Sequence, residues 1–301
     1  MKPRLLSTDV RYFMVVAESR SLSAAAERLH VAVSAVSRQI TKLEGAFECA
    51  LFDRTTKGVE LTPAGERLAS FVRLIRQDED HIIEEVRGAA INGSGVVRVG
   101  CVEGLSSGFM PAVMSGFRRK FPNISISLHV AAPGEISRML RQGEVDVVLK
   151  YCTAPEPGLE SVFSCLSPIM ALVAPSHELA RSRKVQARDL VRYPLAVPVV
   201  GNTVRAAFDL CCSQHGITYT PAFTGNAASM AALAVQGDAV MLGGQLGAAH
   251  LINAAQLKAI KIDEKPMQTR LIHVLLLQGR TLPKMGNAFV EHLIAATQRS
   301  V

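Results

Sequence analysis

Between Ser21 and Gly65 the chain reads SLSAAAERLHVAVSAVSRQITKLEGAFECALFDRTTKGVELTPAG, a pattern that few folds accommodate. Leu22, Ala25, Ala26 and Leu29 recur at i, i+3, i+4 and i+7, which gives a short helix one apolar face. Val36, Ile40 and Leu43 do the same for a second helix. His30, Val31 and Ala32 leave room between them for only a tight turn. Two short helices joined this way cross steeply, the helix-turn-helix geometry that lays the second helix in a DNA major groove. The off-core face of that second helix carries Ser34, Ala35, Ser37, Arg38 and Lys42. Small side chains allow close approach to base edges, while the two cations reach bases or phosphates. Downstream, Lys57-Gly58 between Arg54-Thr55-Thr56 and Val59-Glu60-Leu61 reads as a small hairpin. It would set Arg54 and Lys57 against phosphate or the flanking minor groove.

Three runs, Arg11 to Val31 (RYFMVVAESRSLSAAAERLHV), Ser34 to Glu44 (SAVSRQITKLE) and Leu51 to Glu66 (LFDRTTKGVELTPAGE), resemble the N-terminal winged helix-turn-helix of LysR-type transcriptional regulators. The remainder is similar to that family in order and spacing. The resemblance implies an α/β chain in three parts. A winged helix-turn-helix DNA-binding domain spans 1–62, and a linker helix and hinge span 63–92. A two-lobed, periplasmic-binding-protein-like effector domain spans 93–301, with lobe one at about 93–166 and 269–301 and lobe two at about 167–268. It also implies double-stranded operator DNA as partner, a homodimer through the linker helix, assembly into a homotetramer, and a small-molecule effector in the inter-lobe cleft. RNA polymerase stays open as a further partner. The chain departs from the family at the start of the recognition helix, where Ser-Gln followed by Pro or Ser is usual. Here Ala32, Val33 and Ser34 stand there. Ala32 cannot cap the helix, a loss of typically ~1 kcal/mol, whereas Ser34 can cap a later start. Val33 cannot make the bidentate amide contact to adenine; it can touch a thymine methyl. The half-site is therefore expected to be atypical at that position.

Bulk properties narrow the reading further. The 301 residues suit about two domains. With 49% hydrophobic and 20% charged residues the chain can build real cores. The absence of Trp argues against stacking on single-stranded nucleic acid. Net charge is +7, but residues 1–90 hold 13 cationic and 13 acidic side chains, so the excess lies beyond them. The DNA reading therefore rests on where Arg38 and Lys42 sit, not on overall charge. Six cysteines include no Cys-x-x-Cys pair, and no His cluster has zinc spacing, which predicts reduced thiols, no metal and no cofactor. The opening MKPRLLSTDV has no apolar secretion core, and the apolar stretch Ala227 to Ala249 is broken by Gln236, Gly237 and Asp238. A cytoplasmic protein without a membrane span is expected. There is no Gly-x-Ser-x-Gly, no phosphate-binding Gly-x-x-x-x-Gly-Lys and no His with a nucleophile partner, so no catalytic residue is assigned. Two rival readings remain, a solute-binding protein for transport and a regulator that needs no ligand.

Thr62-Pro63 opens a helix expected to run to about Gly88, with Leu68, Phe71, Leu74, Ile75, Ile82 and Val86 as its apolar stripe. A rod that long with one apolar stripe needs a partner. Asn92-Gly93-Ser94-Gly95 reads as a hinge. Beyond it, apolar runs alternate with helical segments, which argues for parallel sheets with helices on both faces. Such sheets bind ligands at strand C-termini and helix N-termini. That places Gly104, Leu105, Ser106 and Ser107 at the cleft, and the family resemblance adds Pro133, Lys150 and Tyr151 and, from the second lobe, Asn202, Thr203 and Asn226. Against the family, Gly104 and Ala132-Pro133 stand where hydroxyl residues are usual, and Tyr151, with Lys150 beside it, stands in place of an Arg. A small organic ligand of anionic character, with a bulkier or more apolar body, fits those losses.

Overall fold

A computed structural model describes residues 6–55, 58–86, 95–152 and 154–300. The chain divides into two compact units near Asn92 and Gly93.

In the first unit α1 (Thr8–Ser19), α2 (Leu22–Leu29) and α3 (Val33–Phe47) pack around Phe13, Met14, Val16, Ala25, Val36 and Ile40. All the sequence-predicted core positions of α3 are buried: Val36, Ile40 and Leu43. His30 closes α2 in the left-handed region at φ 54°, and its N–H bonds back to Glu27, which makes the turn tight. α3 starts at Val33 with Ala32 as an N-cap that offers no side-chain bond, so Ser34 sits inside the first turn and does not cap. β1 (Phe52–Thr55) and β2 (Gly58–Leu61) form an antiparallel wing. Glu44 anchors its base by accepting from the N–H groups of Leu51 (2.8 Å) and Phe52 (3.2 Å). Gly58, at φ +127°, lets Val59 donate to the Arg20 carbonyl at 3.1 Å. α4 (Pro63–Val86) follows. Thr62 caps it as expected, accepting from the Gly65 N–H at 3.0 Å while donating to Ala50 at 2.9 Å. Ala69 and Val72 of α4 face the core, whereas Phe71 stays 60% exposed. The side chains of Ile82 and Val86, and the Asn92–Gly95 hinge up to Ser94, lie outside the described residues.

The second unit opens with β3 (Gly95–Cys101), α5 (Glu103–Ser106), α6 (Phe109–Lys120), β4 (Ile124–Val130), α7 (Pro133–Arg141), β5 (Val147–Cys152) and β6 (Leu159–Leu166). The chain then enters a second sheet through β7 (Ile169–Val173), β8 (Lys184–Val185), α8 (Ala187–Leu190), β9 (Leu195–Pro198), α9 (Thr203–Gln214) and β10 (Phe223–Gly225). It continues through α10 (Ala227–Gln236), β11 (Val240–Gly244), α11 (Gln245–Asn253), β12 (Lys258–Ile262) and α12 (Lys265–Gln268). β13 (Leu271–Leu277) returns to the first sheet and α13 (Lys284–Ser300) covers it.

The first sheet has the order β4-β3-β5-β13-β6 and the second β10-β9-β11-β7-β12-β8. Both are mixed rather than parallel. β13 runs antiparallel to β5 and β6, and β7 antiparallel to β11 and β12. A parallel neighbour needs a crossover of a dozen residues or more. β7 and β13 instead arrive from the other lobe through short links, Ser167-Pro168 and Thr269-Arg270. These two links lie side by side: Ser167 N–H donates to the Arg270 carbonyl at 2.8 Å, and Arg270 Nε donates to the Ser167 carbonyl at 3.1 Å.

Candidate functional site

The first surface is the outer face of α3. Because Val36, Ile40 and Leu43 must point inward, the 3.6-residue period turns Ser34, Arg38 and Lys42 outward. Val33 is 44% exposed at the helix start, and Ala35 and Ser37 are half-buried at its flank. The two cations differ. Arg38 is exposed and has no ion pair among the described residues. Lys42 is held 3.3 Å from Asp9 of α1. A Ser7 hydroxyl, the Val10 N–H and Lys42 together keep the Asp9 carboxyl below its ordinary range. Lys42 must therefore leave Asp9 to reach a phosphate, and Arg38 is the cation presented freely. Arg54 lies on β1 of the wing. Lys57 falls outside the described residues.

The second surface is a cavity of about 960 Å³ between the two sheets of the second unit. Gly104, Ser107, Pro133, Tyr151, Asn202 and Thr203 line it, as expected from the sequence. Four other candidates do not. Leu105 is fully buried in the core of the first sheet. Ser106 turns away and donates to the Glu103 carbonyl at 2.8 Å. Asn226 spends its side chain on capping α10, accepting from Ser229 at 2.8 Å. Lys150 is one residue from Tyr151 on β5, and alternation sends it to the opposite face. There it is 3% exposed, donates to the Pro133 carbonyl at 3.1 Å, and pairs with Glu156.

Arg270, which sequence reasoning missed, supplies the cation on the cavity side. Its guanidinium stacks on Tyr151 with Cζ 3.7 Å from the ring centroid. It is 8% exposed, no carboxylate pairs with it among the described residues, and its Nη2 is without a hydrogen-bond partner. Burial pulls the guanidinium below its ordinary pKa. The signal in the sequence was slight: a single Arg beside the apolar run Leu271–Leu277. Glu103 is the other charged residue lining the cavity, and its carboxylate accepts from the Ala227 N–H at 2.7 Å, at the start of α10. The rest of the lining is mostly apolar, and small residues of α10 such as Ala227, Ala228 and Ala231 form much of one wall. Such a site can hold an anion through a buried guanidinium and shelter an apolar body. No group of side chains suited to a metal ion occurs among the described residues, nor does a helix long and apolar enough to cross a membrane.

All six cysteines are unpaired with one another. Burial pushes the Cys101 thiol up to about 12, and Cys152, Cys211 and Cys212 up to about 11. A raised pKa leaves little thiolate, the reactive form. In the native protein at pH 7.5, iodoacetamide is expected to modify exposed Cys49 well ahead of these four, by peptide mass spectrometry. Early labelling of Cys211 or Cys212 would contradict this.

Two family models match the chain. Residues 7–66 match "Bacterial regulatory helix-turn-helix protein, lysR family", and residues 92–298 match "LysR substrate binding domain". The regulator BbuR of Bordetella bronchiseptica is 27% identical over 98% of this chain and 91% of its own. The dual regulator GltC of Bacillus subtilis is 27% identical over 95% of each. Among solved structures, a full-length OxyR variant from Pseudomonas aeruginosa superposes with TM-score 0.71 at 18% identity, covering 98% of this chain and 95% of that one. CbnR complexed with its target DNA superposes with TM-score 0.62 at 22% identity, covering 96% and 98%. At these identities the likeness carries the fold.

Proposed function

Because the chain belongs to the LysR family of bacterial transcriptional regulators, we propose that it binds operator DNA as a dimer through α3 and the wing, under control of a small organic anion in the inter-lobe cavity. It is a DNA-binding regulator with an effector-binding domain, not an enzyme. The observation that carries the DNA half is Arg38, exposed and without an ion pair among the described residues, on the outer face of a helix whose other face is core. The DNA contacts are assigned to Val33, Ser34, Ala35, Ser37, Arg38 and Lys42, with Arg54 and Lys57 of the wing on phosphate. A two-fold dimer through α4 would set two such helices about one DNA turn apart. The 60% exposure of Phe71 on α4 supports that pairing. CbnR, a neighbour in fold, was crystallised with its target DNA. The family resemblance extends to a homotetramer working in the cytoplasm, with RNA polymerase as a further partner where it activates. The effector half rests on the cavity and on Arg270, whose Nη2 has no hydrogen-bond partner among the described residues.

Selection from a random duplex pool with the full-length protein tests the DNA half. Paired half-sites spaced by about one helical turn are the expected product, and failure to enrich any sequence would overturn it. The same selection with Val33→Gln is expected to favour adenine at one half-site position. An unchanged ranking would remove Val33 from base reading.

A further inference from the structure

We infer that the effector is an amphipathic monocarboxylate, with its head group at Arg270 beside the N-terminus of α11 and an acyl or aryl body along α10. This rests on the effector reading above and specifies its chemistry. Three observations carry it. First, Arg270 is more than nine-tenths buried, borders the cavity, and leaves Nη2 without a partner. A buried cation in that state gains most from an anion that supplies the missing acceptor. Gly244 makes room for the guanidinium and its stacking partner: a Cβ there would lie 2.5 Å from Nη2 and 2.9 Å from the Tyr151 hydroxyl. Gly244 is also the N-cap of α11 and offers that helix no side-chain bond, so the free N–H groups of its first turn are nearby donors.

Second, the charges lining the cavity limit the ligand to one negative charge. Beside Arg270 stands Glu103, whose carboxylate already occupies the start of α10. Of the helix N-termini that border the cavity, that of α10 is thus filled by the protein's own anion. A second carboxylate on the ligand would meet Glu103 rather than a cation. Third, the walls are apolar where a ligand body would run. Ala227, Ala228 and Ala231 of α10 form one side. At the mouth, Val130 of one sheet and Val199 and Val200 after β9 of the other are 44%, 58% and 82% exposed. Large apolar side chains so exposed at a cavity mouth are surface that an apolar ligand would cover.

The test uses the full-length protein and three ten-carbon probes below their micellar concentration: decanoate, decanol and the dicarboxylate sebacate. Succinate and citrate serve as polar anions. Decanoate at a hundredfold excess over its Kd is expected to raise the effector-domain melting temperature by roughly 5–10 °C. Decanol and sebacate are expected to bind at least about tenfold more weakly, since one lacks the charge and the other adds a buried one. Arg270→Gln should weaken decanoate by on the order of 30-fold or more. Because that variant also loses the Arg270–Ser167 bond, Ala231→Phe provides an independent arm. Its ligand-free melting temperature checks its fold, and it should shift preference from decanoate to hexanoate. Equal binding of decanoate to the parent and to Arg270→Gln would overturn the head-group assignment. Binding of succinate or citrate without decanoate would overturn the ligand class and leave the effector reading standing. If no probe binds and Ala231→Phe leaves operator binding unchanged in a cell extract as well as in buffer, the effector reading falls too.

Discussion

Replacing Gly65 with alanine is expected to destabilise the DNA-binding unit by about 2–5 kcal/mol, the combined scale of overpacking and a broken buried hydrogen bond. Gly65 lies in the first turn of α4, and a Cβ there would stand 2.1 Å from the Leu51 carbonyl oxygen and 2.9 Å from a Leu61 methyl. Neither atom is free to retreat. Leu51 is 1% exposed, and its carbonyl accepts from the Thr62 N–H at 3.1 Å. Thr62 in turn holds the Gly65 N–H and the Ala50 carbonyl, so one small gap joins the exit of α3, the wing and the start of α4. Moving Leu51 breaks that joint. A loss of this size is a large fraction of the stability of a small domain. Thermal unfolding of the full-length chain should gain an early transition in the variant, while the effector-domain transition stays put. Melting within a degree of the parent throughout would mean that the three elements are not coupled at Gly65.

Arg38→Ala is expected to weaken operator binding by ~1–3 kcal/mol, or about 5- to 150-fold, if the guanidinium reads a base. Arg38 is singled out over Lys42 because it has no ion pair among the described residues, whereas Lys42 must first give up Asp9. Arg38→Lys separates the two modes of contact. A lysine keeps the charge but not the two-pronged geometry. Base reading therefore predicts that Arg38→Lys resembles Arg38→Ala and relaxes sequence preference. Phosphate binding predicts that Arg38→Lys resembles the parent, and that Arg38→Ala lowers the salt dependence by about one charge without changing the ranking of sequences. Fluorescence anisotropy over a salt series measures both. Unchanged affinity and unchanged ranking in Arg38→Ala would remove this residue from the interface.

The outward face of α3 was legible because its logic is local. In α2 and α3 the period of 3.6 decides which side is core, and the outward face follows without knowledge of any distant residue. The cavity is different. Lys150 and Tyr151 are neighbours on β5, and only one can face the ligand; which one depends on the sheet that β5 joins, not on β5 itself. Arg270 meets Tyr151 because β13 inserts between β5 and β6, a pairing that nothing local records. No apolar run marks β6 in the sequence, because it is an edge strand with Val162 and Leu166 left exposed. None marks β12, because Lys258 and Lys261 interrupt its buried Ile260 and Ile262. Ser106 and Asn226 were the right types of residue at the right turns, yet their polar atoms were taken up by the backbone beside them.

The paired links at Ser167 and Arg270 have a mechanical corollary. They are the two places where the described chain passes between sheets, and each bonds to the other, so a rotation of one lobe against the other would pivot there. A contact at a pivot has almost no lever arm. Val130, by contrast, ends β4, three strand spacings from β13 in the first sheet, or roughly 14 Å at the usual inter-strand distance. Val199 and Val200 follow β9, two spacings from β7 in the second. A monocarboxylate of the kind proposed above would therefore anchor with one end and exert torque with the other. A short carboxylate seated on Arg270 would occupy the site while turning nothing, and would behave as an antagonist of a longer one.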